Sequence, residues 1–112
     1  MVTGAGYKTF EAFKRVFGRA GDGFAWHHIV EKTSGNISRF GAEMIHSTNN
    51  LIKLPHGAGQ IHMRISGFYS SVNFRITGST LTIRQWLSTK SFQEQYKFGI
   101  EAIDKIYKGV WP

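Results

Sequence analysis

Hydrophobic and polar residues change their spacing several times along the chain, and each spacing predicts an element. Aromatic and aliphatic residues recur every three to four positions over residues 7–17, which is typical of an amphipathic helix, here ending at Gly18. Residues 24–30 have the aromatic and β-branched alternation of a strand, and residues 51–54 form a second, shorter one. Pro55 stops the second strand because proline has no N–H to give to a sheet. We expect the two strands to pair as a hairpin.

The connection between the two strands is long and carries its own patterns. It is predicted to contain a turn-rich stretch at residues 33–36, a short helix at 42–46 and a polar turn at 47–50. Loops of this length are uncommon inside a small domain, and they often serve a function.

The second half of the chain is predicted to be mainly helical. Residues 60–69 place Ile61, Ile65 and Phe68 on one helix face. The later elements are a short strand or extended connection at residues 72–76, a turn at Gly78 and Ser79, a short helix at 82–87 and a longer one at 91–108. Ser91 and Glu94 form a capping box at the start of that longer helix. Its core face is expected to hold Phe92, Tyr96, Gly99, Ile100, Ile103 and Tyr107.

Two strands among several helices predict a small α+β fold, and 112 residues suffice for a single domain, expected to span residues 1–112. The chain has no cysteine, which excludes disulfides and thiolate metal sites. No apolar run approaches the ~18 residues of a membrane span, so no membrane partner is expected. The 14 Lys and Arg against 7 Asp and Glu give a net charge of +7, which favours a polyanion and nucleic acid first.

Histidine is the residue type that brings candidate chemistry into this pattern. His27 and His28 are adjacent on the first strand, and His62 lies at the start of the helix predicted at residues 60–69. Imidazole is both a metal ligand and a general base near neutral pH. A strand points adjacent side chains to opposite faces, so the two histidines either need a twist to reach one phosphate or belong to different environments.

Three blocks of the sequence, in this order, resemble the HNH (ββα-metal) nucleases. They are Trp26-His27-His28-Ile29-Val30-Glu31, then Asn49-Asn50-Leu51-Ile52 with Leu54-Pro55, and then Ile61-His62-Met63-Arg64-Ile65-Ser66. They are most similar to the WHH-type group, found as C-terminal toxin domains of bacterial polymorphic and contact-dependent growth inhibition toxins, and residues 84–87 also resemble that group. The resemblance implies a ββα-metal-like hairpin and helix surrounded by additional helices.

The resemblance also implies a role for each matching residue. His28 matches the general base that activates water, and His27 occupies a metal-binding position. Asn50 matches the residue that braces the loop and orients the base. His62 matches the metal ligand supplied by the helix.

Ser66 departs from the family pattern, because many members place a further metal ligand at that position. His56 could contribute instead, since the neighbouring glycines make its loop adaptable. The metal is expected to be Mg²⁺ or Zn²⁺. Arg64 and Arg39 are candidate phosphate clamps, because a guanidinium can neutralise an oxyanion through two hydrogen bonds.

Other interpretations of the same residues stay open. A metal-independent ribonuclease acting on tRNA or another RNA would use a histidine pair as base and acid, and a basic nucleic-acid-binding module would use no catalysis at all. His27, His28 or His62 could be structural, Asn50 could only cap a turn, and His46 is expected to be structural. Glu31 is either a partner of the metal or base or an exposed carboxylate.

The toxin resemblance carries expectations about setting and partners. Such a domain is secreted as part of a larger toxin and acts on DNA or RNA in the cytoplasm of a target cell. The producing cell then needs an inhibitor, and the basic charge of the chain favours an acidic immunity protein.

Overall fold

The computed structural model describes residues 4–112, which form seven helices and two strands. The chain divides into two compact units, one ending at Pro55 and one beginning at His56. The first unit contains α1 (Phe10–Phe17), β1 (Phe24–His28), α2 (Ser34–Phe40), α3 (Ala42–Ile45) and β2 (Leu51–Pro55). The second contains α4 (Ile61–Tyr69), α5 (Phe74–Thr77), α6 (Ile83–Leu87) and α7 (Phe92–Tyr107). The predicted α+β class is confirmed, and so is the order strand, strand, helix in β1, β2 and α4.

The two strands pair as the predicted antiparallel hairpin. Phe24 lies opposite Pro55, and His28 at the other end of the ladder lies opposite Leu51. The strand β1 is also held to the end of α1, because the indole N–H of Trp26 donates to the Gly18 carbonyl at 3.0 Å. The apolar core of this unit is built from β2, from the segment that follows β1, and from α1 and α3, and its residues are Phe13, Ile29, Val30, Ile45, Leu51 and Leu54.

Helix α1 is shorter and less buried than its pattern predicts. Thr9 caps it by accepting a hydrogen bond from the Ala12 N–H, and Gly18 ends it as predicted. Of its apolar residues only Phe13 is buried, whereas Val16 is 63% exposed and Phe17 44% exposed. The pattern locates the helix correctly but overstates the width of its buried face, because eight residues expose more surface than one small hairpin can cover.

The turn predicted for residues 33–36 is wrong, because these residues begin a helix. Thr33 is the N-cap of α2, and its hydroxyl accepts the N–H of Asn36 at 3.1 Å. Thr, Ser, Gly and Asn favour turns and helix caps alike, because each supports a local side-chain or backbone conformation outside the helix. The predicted short helix over residues 42–46 is confirmed as α3, with His46 as its C-cap.

The second unit is helical, as expected, with one correction at residues 72–76. Val72 forms only an isolated bridge with Thr82, and Asn73 caps the helical turn α5 by accepting the Ile76 N–H. Gly78 ends α5 with φ at 68°, a conformation that suits glycine. The core of this unit consists of Ile61, Ile65, Phe68, Tyr69, Ile83, Leu87, Phe92, Ala102 and Ile106.

Helix α7 begins with the predicted capping box of Ser91 and Glu94. Its predicted core face is wrong in part, because Ile100 is 44% exposed and Tyr107 is 55% exposed. The buried stripe is instead Phe92, Gln95, Gly99, Ala102 and Ile106. Phe92 and Gly99 are buried as predicted, but the pattern misses Gln95, Ala102 and Ile106, because the buried stripe lies about one residue round the helix from the predicted face. Of the helices in residues 4–112, none combines the length and apolar character that crossing a membrane would require.

Candidate active site

Asn50 holds the loop that carries the candidate residues of the first unit. Its side chain is fully buried, and its Oδ1 accepts the Val30 N–H at 2.8 Å. Its Nδ2 donates to the carbonyls of Val30 at 3.0 Å and of Ile45 at 2.9 Å, while its own carbonyl accepts the Ile29 N–H. One amide thus joins the segment after His28, the end of α3 and the start of β2. The catalytic role that the resemblance implies for Asn50 remains a prediction.

His28 is hydrogen-bonded to His46, at the other end of the braced loop. The Nε2 atom of His28 lies 3.1 Å from the Nδ1 atom of His46. Both side chains are buried, with 6% and 5% of their surfaces exposed. Because α3 ends at His46 and β1 ends at His28, the same loop that Asn50 fixes also sets the distance between the two rings.

Phe10 and two lysines surround the His28–His46 pair. The Phe10 ring lies edge-on to His28 at 4.8 Å and is stacked parallel to His46 at 6.1 Å. The ammonium of Lys14 lies 4.5 Å from the centre of the Phe10 ring, and that of Lys32 lies 6.0 Å from it. A buried imidazole pair is therefore bordered by an aromatic ring and by positive charge.

This environment keeps both imidazoles neutral at pH 7. Burial, followed by the neighbouring His46, Lys32 and His27, lowers the pKa of His28 to about 3. Burial and then Lys32 also lower the pKa of His46. In a pair of neutral imidazoles one ring donates the shared hydrogen and the other accepts it. When Nε2 of His28 donates, its Nδ1 carries the lone pair that a general base needs.

His27 occupies a different place in the hairpin from His28. It lies opposite Ile52 in the strand register and is 8% exposed. It contributes to the lowered pKa of His28 less than burial, His46 or Lys32 does. The imidazole that is hydrogen-bonded to His28 thus comes from the end of α3 and not from the adjacent position in the sequence.

A second histidine pair lies in the second unit. The Nδ1 atoms of His56 and His62 are 2.9 Å apart, and their ring centres are 5.0 Å apart. His62 is in the first turn of α4, and the chain returns to it through Gly57 and Gly59, whose φ angles are 127° and 76°. Both angles are in the region that favours glycine. Burial and then His56 lower the pKa of His62, so its lone pair is available at neutral pH.

The two pairs differ in their suitability for a cation. Ligands about 2.0–2.1 Å from one ion are about 2.9 Å apart at a right angle and about 3.4 Å apart at a tetrahedral angle. The Nδ1 atoms of His56 and His62 are in hydrogen-bond contact at 2.9 Å, which is the separation of two ligands at a right angle, so a tetrahedral ion such as Zn²⁺ requires them to move apart by about 0.5 Å. Positive charge from Lys32 acts on His28 and His46 and opposes a cation there. Residues 4–112 contain no group of three or more His, Cys, Asp or Glu arranged to hold a metal, so other ligands would be water or phosphate oxygens.

The other candidates have local partners. Arg64 donates from Nη2 to the Ile106 carbonyl at 3.1 Å, which satisfies a carbonyl in the last turn of α7. The guanidinium of Arg39 lies 4.7 Å from the centre of the Phe40 ring. The backbone carbonyl of Glu31 accepts the Asn36 side-chain amide at 2.9 Å, and Ser66 is exposed on α4. The roles of Arg64 and Arg39 as phosphate clamps remain predictions.

Sequence reasoning missed His46, Lys32 and Phe10 as parts of the site. His46 had one usable signal, because it is one of only five histidines and ends a short predicted helix inside the long loop between the two strands. Lys32 and Phe10 had none, since a lysine after a strand and an aromatic residue in a helix are ordinary features.

Comparisons of the chain with protein-family models, with curated proteins and with solved structures find no match.

Proposed function

We propose that this chain is a nuclease that hydrolyses phosphodiester bonds of nucleic acid in the manner of the HNH enzymes that it resembles. The observation that carries the proposal is the buried hydrogen bond between His28 and His46 beside Lys32, in a loop clamped by Asn50. A neutral imidazole with a fixed orientation next to positive charge suits a base that acts beside a phosphate.

Lys32 gives this site a way to respond to its substrate. In the ligand-free chain its charge helps to hold the pKa of His28 down to about 3, where the imidazole is neutral but a weak base. An anionic phosphate near Lys32 offsets that charge and raises the pKa of His28 towards the range in which a base works best. His46 holds the ring of His28 in place and stabilises the tautomer in which Nδ1 accepts the proton of water.

A divalent cation fits this proposal at His56 and His62. Imidazole nitrogen suits Zn²⁺ and other transition ions better than Mg²⁺, which prefers oxygen. When bound, such an ion supplies Lewis acidity at a phosphate oxygen. The Nδ1 atoms of the two histidines face each other, because positive φ angles at Gly57 and Gly59 turn the loop so that His56 lies beside His62.

A metal-independent ribonuclease is the second candidate function. The His28–His46 pair favours it, because one imidazole can serve as base on a ribose 2′-hydroxyl and the other as acid once an anionic phosphate beside Lys32 raises its lowered pKa. The lack of a three-residue metal-binding group in residues 4–112 is compatible with it. This alternative needs no ion at His56 and His62.

The setting of the activity is part of the same proposal. We propose that the domain is the toxic part of a larger secreted toxin, acts in the cytoplasm of a target cell and is inhibited by an acidic immunity protein. The resemblance supports the toxin role, and the net charge of +7 supports an acidic partner, since complementary charge speeds association. A tight complex with the product of a neighbouring gene would support this role.

Cleavage of plasmid DNA and of total RNA tests the proposal. Purified protein is incubated with each substrate in Mg²⁺, Zn²⁺ or EDTA, beside His28→Ala, His46→Ala and His62→Ala, with Lys108→Ala as a surface control. Metal-dependent cutting that is lost in His28→Ala and His62→Ala supports the metal nuclease. Cutting of RNA in EDTA that depends on His28 and His46 moves the assignment to the ribonuclease. Folded protein that binds but cuts neither substrate under any condition rejects both.

A further inference from the structure

An open groove in the second unit lies between the end of α6 and one face of α7, and no histidine lines it. Its volume is about 330 Å³, which is within the usual range of small-ligand sites. Residues of α7 at steps of three and four line one wall, and the end of α6 with the following turn lines the other. The lining residues are Trp86, Leu87, Lys90, Glu94, Lys97, Phe98 and Glu101.

Two aromatic rings give the groove a rigid apolar wall. Trp86 and Phe98 meet edge to face, with ring centres 5.6 Å apart, and both are partly exposed. Phe98 is held in turn by Phe68, Tyr69 and Trp111, whose ring centres lie 5.3–6.3 Å from its own. Phe98 stacks against Phe68 and supports Trp86, so the Trp86 ring is offered to a ligand at little cost in side-chain entropy.

Positive and negative groups both border the aromatic wall. The Lys90 ammonium lies 4.8 Å from the centre of the Trp86 ring, and Lys97 is exposed on α7. Glu94 accepts the Ser91 N–H with Oε1, and Glu101 pairs with Lys105 through Oε2 at 2.8 Å. An ionised carboxylate can accept about four hydrogen bonds, so each retains acceptor capacity. The groove therefore combines a stacking surface with cations and hydrogen-bond acceptors.

We propose that this groove binds an unpaired nucleobase that carries an amino group, together with its phosphate. The base stacks on the face of Trp86 and contacts the Phe98 ring, which is inclined at 64° to it, while its amino group donates to Glu94 or Glu101, and Lys90 and Lys97 contact the phosphate. Aromatic stacking and hydrogen bonds to base edges are the usual means of recognising single strands, and carboxylates accept from the cytosine amino group. The proposal rests on the proposed function for the nucleic-acid substrate and adds a substrate-reading site to it.

Charge favours a nucleotide over an acidic protein as the occupant. The two lysines and two glutamates of the lining cancel formally, so the lining favours a ligand that brings both an anion and hydrogen-bond donors over a run of acidic side chains, which brings anions alone. A nucleotide brings a flat base to the rings, amino donors to the carboxylates and one phosphate to the lysines. Each part of the lining has a matching part of that ligand.

Binding of short single-stranded RNA tests this inference without depending on cleavage. Fluorescence anisotropy is measured for labelled oligo(C) and oligo(U), which differ at the amino group of each base, in EDTA and in the His28→Ala background. We expect oligo(C) to bind more tightly. We expect Trp86→Ala to weaken oligo(C) binding about tenfold, since it removes the ring on which a base stacks, and Trp86→Phe to restore most of it.

Two further variants separate the phosphate and base contacts. Lys90→Gln with Lys97→Gln should lower the slope of log affinity against log salt by about 0.7, because both lysines contact one phosphate and each neutralised phosphate on a single strand contributes ~0.7. The matched control, Lys8→Gln with Lys108→Gln, removes the same charge outside the groove and should change the slope less. Glu101→Gln should narrow the difference between oligo(C) and oligo(U).

The outcomes distinguish this inference from the proposed function. Equal affinity for the two oligonucleotides, or unchanged binding in folded Trp86→Ala, overturns the groove proposal even if the chain cleaves nucleic acid. Binding of polyglutamate that needs Trp86 and competes with oligo(C) also overturns it, because the occupant is then an acidic protein. If the chain cleaves neither substrate but binds oligo(C) in a way that requires Trp86, the groove proposal is supported and the proposed nuclease function is rejected.

Discussion

His28 and His46 are eighteen positions apart in the chain, yet their ring nitrogens lie 3.1 Å apart in a buried site. The distance is set by the hairpin register on one side and by the end of α3 on the other, and Asn50 joins the two. A proton held by one ring is therefore coupled to the tautomer of the other. The consequences for rate, stability and metal binding can be measured separately.

Substitution of His46 should alter the pH dependence of cleavage as well as its rate. His46 and the burial it provides both help to lower the pKa of His28. In His46→Ala that pKa rises, so the acidic limb of the rate profile should move to higher pH. We expect the rate at pH 7 to fall about tenfold, less than the roughly 100-fold or more for loss of a general base.

The matched variant for this test is His46→Gln, which keeps a group able to form a hydrogen bond. It should retain more activity than His46→Ala and shift the profile less. If His46→Ala lowers the rate by the same factor at every pH and the acidic limb stays in place, His46 does not act on the pKa of His28 and is only part of the core.

Stability should decrease as the pH falls below about 6.5. The pKa of His28 is about 3 in the folded chain and near its ordinary value of 6.5 when unfolded, so the unfolded chain binds more protons between these values. The contribution of His28 is present above pH 6.5 and is lost as the pH falls towards 3. One proton corresponds to about 1.4 kcal/mol per pH unit.

Urea unfolding from pH 7.5 to 4.5, followed by tryptophan fluorescence, measures this slope. The control is His28→Gln, which removes the group and should flatten the dependence. Equal slopes for the two proteins would contradict the assignment of a neutral buried His28.

Asn50→Ala should destabilise the first unit strongly. It removes the bonds to Val30 N–H, Val30 carbonyl and Ile45 carbonyl, and the last two lose a donor inside the protein. An unsatisfied buried group costs about 1–3 kcal/mol, so the free energy of unfolding should fall by ~3 kcal/mol or more.

Asn49→Ala is the neighbouring control, because Asn49 is exposed. Its effect on the urea midpoint should be small. If Asn50→Ala were as mild as Asn49→Ala, the loop would not depend on the Asn50 amide.

Zinc should bind to the His56–His62 pair and stabilise the folded chain. Isothermal titration calorimetry and thermal unfolding with and without Zn²⁺ report on this without any substrate. We expect His62→Ala to remove most of the binding, whereas His28→Ala leaves it intact because Lys32 disfavours a cation at that pair. Retained binding in the double variant His56→Ala, His62→Ala would place the ion elsewhere.

Protonation should oppose zinc binding at this pair. The metal binds neutral imidazole, so its affinity should decrease with acidification. The lowered pKa of His62 means that this loss begins at a lower pH than for an exposed histidine. Titrations at pH 7.5, 6.5 and 5.5 measure it.

Local patterns are sufficient to predict most elements of this protein. The hairpin strands, the helix that begins after Gln60, the capping box of Ser91 and Glu94, and the glycine that ends α1 depend on residues close together in sequence. The bracing by Asn50 follows from a resemblance, and the amide forms three hydrogen bonds across the loop. These features depend on the spacing of apolar side chains, on hydrogen bonds at helix ends and on the backbone conformations open to proline and glycine. All three act over a few residues.

Only the tertiary structure decided which residues meet. The partner of His28 is His46 and not His27, because a strand separates adjacent side chains while a long loop can return a distant one. The buried face of α7 passes through Gln95, Ala102 and Ile106 and leaves Ile100 and Tyr107 exposed, because packing against α4 decides which side of the helix is covered. Thr33 starts a helix and not a turn, and its hydroxyl caps that helix by accepting the Asn36 N–H, a role that the same residue types fill in turns. Contacts between residues far apart in sequence form only when the chain folds, so the spacing of residues along a short segment cannot predict them.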